Sequence, residues 1–351
     1  MDNLQMKKML IKASIFSGIC MSVMLWRCAT KHIMITDAAG VEIDRGETAT
    51  SYNLLVDRNV PEGQKGKLII PLSKTVGSDD IVLEDRYLDH ELIININGRE
   101  EDFYLDNPIA TDLMILNSAV CISEKGTGGV SLDFGLNDLY ANESSLTESN
   151  TIEVRFFKPY EEYKRIVVVD PAAGGIDEGI SFDGLTEKDV TLDIALALKN
   201  IAEKDENSTV KFYFTRLSDT NVDDNRRAAL LSETGADLLV GIGAYVSEDT
   251  SVNGIGCTFN NDFYLRGFNN ASFAGILETN CVSQTGSAGI FIEPAKEDDY
   301  LLMNAKIPAA RVVAGVLNGD TDNKMLQDEA YINKIALGIY QGITQAFEEM
   351  E

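Results

Sequence analysis

The stretch that most constrains the fold runs from residue 166 to 196, IVVVDPAAGGIDEGISFDGLTEKDVTLDIAL. Four apolar β-branched residues, Ile166 to Val169, lead straight into Asp170-Pro171 and a loop holding Gly174 and Gly175. A buried strand that ends in such a loop places that loop at a ligand-binding edge. Beyond the loop, Thr186 is placed to cap a helix whose first turn holds Glu187 and Asp189. Val190, Ile194, Ala197, Leu198 and Ile201 then recur at helical spacing on one face. The unit reads as strand, loop, helix.

Everything from Arg165 onward repeats that alternation. KFYFT at 211–215, DLLVGIG at 237–243 and GIGCTFN at 254–260 read as strands; helices are expected around Arg227 to Leu230, near 268–282 and from about 329 to 348. Such alternation builds a mostly parallel sheet covered by helices on both faces, with ligands beyond the carboxyl ends of the strands. Asp170 to Gly175 and Gly243 to Tyr245 both fall at such ends and are expected to face one cleft.

Upstream the pattern differs. From Thr30 to about Tyr160 the apolar residues come in short runs: LLV (54–56), KLIIPL (67–72), ELIININ (91–97), DFYL (102–105), DLMIL (112–116), VSLDFGL (130–136) and TIEVRFF (151–157). Turn-prone pieces separate them, among them Gly126 to Gly129 and the polar NESSLTESN, so residues 30–160 are expected to form a β-sandwich, joined to the second domain by the polar EEYK at 161–164. At the start of the chain, Lys7, Lys8 and Lys12 precede an uncharged stretch, Ala13 to Trp26, and Arg27 follows it. Residues 1–29 are therefore expected to be an uncleaved signal anchor, a transmembrane segment from Met9 to Trp26 with its lysines in the cytoplasm and the rest of the chain outside.

The 351 residues, 44% of them hydrophobic, suffice for two cores. A formal net charge of −26 excludes nucleic acid and anionic membrane surfaces as electrostatic partners. The five cysteines, at 20, 28, 121, 257 and 281, show no Cys-x-x-Cys spacing, so a zinc ribbon is excluded; whether Cys257 and Cys281 pair is left open. The two histidines are His32, a linker residue, and His90, expected to be structural because a zinc site needs about three protein ligands.

Asp170-Pro171-Ala172-Ala173-Gly174-Gly175 followed by Glu187-Lys188-Asp189 resembles the opening of the zinc-dependent N-acetylmuramoyl-L-alanine amidases (amidase type 3), which cut peptidoglycan and carry Asp-Pro-Gly-His-Gly-Gly at this strand end. Thr215-Arg216 with Asp219, Arg227 with Gly235-Ala236-Asp237, Leu238 to Ala244 and Lys306-Ile307-Pro308-Ala309 resemble the family's later landmarks, in order, through residues 165–351. The resemblance implies an amidase-like fold preceded by a module similar to the wall-binding AMIN β-domain. It also implies what is missing: Ala173 and Gly243 stand where zinc-binding histidines would be, Val313 stands at the catalytic glutamate, and only Glu187 matches. No histidine follows residue 90. Zinc catalysis needs about three ligands that lower the pKa of a bound water, and losing the general base alone removes roughly a hundred- to ten-thousand-fold in rate. The resemblance thus implies a pseudoenzyme without a zinc cofactor, binding peptidoglycan or a cell-wall protein; an active hydrolase with a rebuilt site is the alternative. Asp170, Gly174, Gly175 and Asp177 are the cleft candidates. Glu187 has a structural explanation too, since a carboxylate is favourable at a helix N-terminus. Asp177, Glu178 and Glu187 could offer oxygen ligands to calcium, though loop carboxylates in so acidic a chain are ordinarily solvated.

Overall fold

The computed structural model describes residues 33–39, 49–98, 102–124, 129–261 and 267–351. The expected signal anchor, His32, Cys20 and Cys28 lie outside them. Among the described residues no helix is long and apolar enough to cross a membrane.

The second half of the chain forms a six-stranded sheet in the order Val210–Phe214, Arg165–Pro171, Leu238–Tyr245, Ala309–Val316, Ile255–Phe259, Gly289–Pro294. All neighbours pair in parallel except Ile255–Phe259 against Ala309–Val316. Ile166 to Val169 are at most 1% exposed, so both faces of that strand are covered, as a continuous apolar run requires. The helix Glu329–Met350 packs against both Glu187–Lys204 and Asn270–Thr285. Asp224–Thr234 packs separately, with the short helix Tyr300–Asn304. The α/β expectation is met, with an added edge strand, Gly289–Pro294, that the sequence reading missed. Cys257 and Cys281 are free, buried thiols; burial pushes both up.

The first half contains a six-stranded and a five-stranded sheet. One apolar cluster draws on both: Leu83, Ile94, Leu132 and Phe134 from the first, Leu68, Ile70, Ile152 and Val154 from the second. Val130–Leu136 and Thr151–Phe157 fall where the alternation placed them. Two expected strands do not form. Phe103–Asp106 is a short helix, which buries Tyr104 with its hydroxyl on Pro71 O at 3.0 Å. Residues 112–115 are irregular, and pairing begins only at Leu116–Glu124. Conversely, Ala141–Leu146, overlapping the expected polar turn NESSLTESN, is a strand at a sheet edge, where few apolar side chains are needed.

The halves are joined by more than the polar EEYK segment. Val210–Phe214 is an edge strand of the large sheet, and Tyr87 covers its rim: the hydroxyl donates to Phe214 O and accepts from Phe214 N, both at 2.9 Å. Leu217 N donates to Ala39 O at 2.9 Å. Ala39, Tyr87, Leu88 and Leu139 belong to the core of the second half.

Candidate functional site

The strand Arg165–Pro171 delivers Asp170 and the Pro171–Gly175 loop to the carboxyl edge of the sheet. Ala173, Gly174 and Gly175 have φ of 59°, 133° and 62°. A Cβ at Gly174 would lie 2.3 Å from Thr220 O, and one at Gly175 2.7 Å from Asn221 N, so glycine is required at both positions. Two buried arginines grip the loop from outside. Arg216 donates to the carbonyls of Pro171 (3.2 Å), Ala172 (2.9 Å) and Lys188 (2.8 Å). Arg227 reaches Pro171 O (3.0 Å) and Ala173 O (2.8 Å). Burial, then the neighbouring Arg227, pulls Arg216 down to about 10.

Asp170 lies at the centre, 2% exposed. It accepts from Arg227 Nη1 at 2.5 Å and from Thr215 Oγ1 at 2.7 Å, and Arg311 Nη2 lies 3.7 Å away. Burial alone would push this carboxyl up; the guanidiniums of Arg227 and Arg311 outweigh it and hold it below the usual range. Arg311 also forms a two-point pair with Asp299, at 2.8 and 3.1 Å. Burial pulls Arg311 down, yet Asp299 and Asp170 raise it above an ordinary arginine. Glu187, in the first turn of its helix, has both oxygens engaged by backbone: Oε1 accepts from Ala244 N at 2.9 Å and Oε2 from Ile180 N at 3.1 Å.

The positions singled out in the sequence do converge. A Cβ built on Gly179 would meet Glu187 Oε2 and Ala173 Cβ, and one on Gly243 would meet Glu187 Oε1 at 3.2 Å. Val313 pairs in register with Gly243 and is 5% exposed. The adjoining cleft has a volume of about 760 Å³ and is lined by Asp170, Ala173, Asp177, Glu187, Asp299 and Arg311 among others. Gly174 and Gly175 do not line it; they shape its loop. Asp177 Oδ1 caps Gly179 N at 2.9 Å.

This set does not fit a zinc ion. Ala173, Gly243 and Val313 offer no ligand atom, the oxygens of Glu187 already accept from backbone amides, and a guanidinium points into the space. Among the described residues, the His, Cys, Asp and Glu atoms close enough to share an ion belong to His90, Asp138 and Glu233. That group lies elsewhere and is already neutralised: Arg226 is 2.7 Å from Glu233 and 3.2 Å from His90, and Lys158 is 2.7 Å from Asp138. The sequence reading overlooked Arg311 and Asp299. The visible signal was an arginine inside the apolar strand AARVVAGV.

The sheet order and the loop at its carboxyl edge define an α/β protein with a cleft built on Asp170 and Glu187. The family profile described as N-acetylmuramoyl-L-alanine amidase matches residues 167–345, just over half of the chain, and the chain belongs to that family. It is 28% identical over 185 residues to the N-acetylmuramoyl-L-alanine amidase CwlM of Bacillus licheniformis, covering 52% of this chain and 68% of the relative. It is also 28% identical over 182 residues to the sporulation-specific N-acetylmuramoyl-L-alanine amidase of Bacillus subtilis, covering 52% and 68%. Among solved structures, the N-acetylmuramoyl-L-alanine amidase from Clostridium difficile aligns with 24% identity and a TM-score of 0.49, over 53% of this chain and 98% of that one.

Proposed function

We propose that this protein is a catalytically degenerate member of the amidase family, anchored in the cytoplasmic membrane by its N-terminal segment, with the large domains outside. Its cleft or its β-rich half binds peptidoglycan or a cell-wall protein without cleaving it, and residues 30–160 and 165–351 act as the two functional domains. One observation carries this reading: the positions that would hold a hydrolytic metal are occupied by Ala173, Gly243 and the backbone-engaged Glu187, with the Arg311 stem packed against Gly243. The anchor rests on the lysines before the apolar stretch Ala13 to Trp26.

The full chain, supplied with zinc and purified peptidoglycan, is expected to release no stem peptide while still sedimenting with the wall or retaining a wall protein. Zinc-dependent release that Glu187→Ala abolishes would instead establish a hydrolase with a rebuilt site. Protease added to intact spheroplasts is expected to digest the large domains; protection would overturn the topology.

A further inference from the structure

We propose that Arg311 is a built-in cation that replaces the metal in this cleft, and that Gly241, Gly243 and Arg311 form one interdependent replacement. The inference rests on the degenerate reading above and says how the cleft survives without metal.

The packing is specific. Arg311 pairs in register with Gly241, and its stem runs along the neighbouring strand over Gly241 and Gly243. A Cβ at Gly241 would lie 3.0 Å from both Cβ and Cγ of Arg311; one at Gly243 would lie 3.0 Å from its Cδ. Glycine weakens a strand interior and needs a reason there. Neither residue has a positive φ, so backbone torsion is not that reason. Close passage of the arginine stem is. The loss of a side chain at 243 and the presence of Arg311 are thus one steric event.

The electrostatics agree. Asp170, buried, and the half-buried Asp299 and Glu187 line this floor, and carboxylates so withdrawn from water are best matched by protons or a cation. Arg311 supplies the charge, two-pronged on Asp299 and 3.7 Å from Asp170, while Glu187 contributes to its retention of the proton. A planar guanidinium suits such multiple carboxylate contacts better than an ammonium. It also repels a divalent ion. Putting ligands back therefore does not suffice: a histidine at 243 is crowded by the Arg311 stem, which would have to shift, and the cation's place stays filled.

Two measurements on the full chain test this. In the first, Ala173→His, Gly243→His and Val313→Glu are combined with and without Arg311→Ala, and bound zinc is counted after dialysis against zinc alone. The triple variant is expected to hold no more zinc than wild type, and the quadruple variant about one equivalent; one equivalent in the triple variant would overturn the proposal. The second stays decisive if the combined variants do not fold. Arg311→Met keeps a stem and removes the charge, and is expected to lower Tm by about 10 °C, whereas Arg311→Lys should lose less than half of that. Equal losses would show that positive charge as such contributes nothing at 311, and no loss that neither charge nor contact does; either overturns the proposal of a built-in cation. Zinc and stem-peptide release by the unmodified chain would refute the degenerate reading itself, an outcome separable from failure of the Arg311 variants.

Discussion

Asp170 and Asp85 are both buried carboxylates, 2% and 8% exposed, yet they are pushed in opposite directions. Asp170, on the cleft floor, faces Arg227, Arg311 and Thr215, which hold its carboxyl below the usual range against its burial. Asp85 lies at the seam between the two halves, beside Asp37, its register partner on the adjacent strand. Burial and Asp37 push its carboxyl up to about 7, while Lys211 and Asn142 only partly compensate. Nearby, Tyr213 is buried with no hydrogen bond to its hydroxyl. Charge on the cleft floor is thus matched group for group, and charge at the seam is not. The cleft floor of the family half is electrostatically closed by its arginines, whereas at the joint to the β-rich half burial and Asp37 leave the Asp85 carboxyl raised to about 7.

The sharpest way to break this comparison is to remove one cation from the closed set. Arg227→Met leaves Asp170 with its nearest partner gone and strips donors from Pro171 O and Ala173 O. Loss of one partner of a buried pair typically costs about 3–5 kcal/mol. Urea unfolding at neutral pH should register that loss. A change below roughly 1 kcal/mol, the size usual for an exposed pair, would mean that the floor is not electrostatically closed.

At the seam the test is pH. A carboxyl raised when folded keeps its proton where the unfolded chain has lost it, so its stabilising contribution is full below about pH 4 and is lost as pH rises through about 7. Between those values Asp85 should make stability fall with rising pH by up to about 1.4 kcal/mol per unit. Asp170 has the opposite sign: its contribution is present above the ordinary aspartate range and is lost as pH falls through its lowered value. Asp85→Asn should flatten the slope between pH 4 and 7 and leave the acid limb in place. An unchanged slope would place the seam's titration on another group.

These two regions were also unequally legible in the sequence. Strand and helix alternation after Arg165 was readable because long buried segments carry strong periodicity, and Glu187–Lys204 and Leu238–Tyr245 lie within about two residues of expectation. The first half was read well only where strands are central, as at Val130–Leu136. It was misread at Phe103–Asp106 and Ala141–Leu146, where a four-residue helix and a polar edge strand leave little pattern. In the cleft, Ala173, Gly243 and Val313 could be read off the chain, but the side chains packed around them could not. Arg311 meets Asp170 from 141 positions away and Gly241 across a strand pair, contacts that only the folded sheet creates. Asp85 and Asp37 were invisible for the same reason: a β-rich run does not announce which strands will be neighbours.

The smallest expected effect sits where the two kinds of reading meet, at Glu187. Helix-terminus electrostatics alone would give Glu187→Gln a cost of a few tenths to about 1 kcal/mol. The structure adds two charge-assisted hydrogen bonds, from Ala244 N and Ile180 N, that tie the helix to the central strand and to the loop before it. Glutamine keeps one acceptor oxygen and turns its amide group toward the other N–H, so one backbone donor loses its partner. That raises the expected cost to about 1–2 kcal/mol, still below the loss at Arg227. Denaturant midpoints of the two variants in one buffer compare them directly. A cost below roughly 0.3 kcal/mol would reduce Glu187 to a surface charge, whereas one matching Arg227→Met would make it a full member of the closed set.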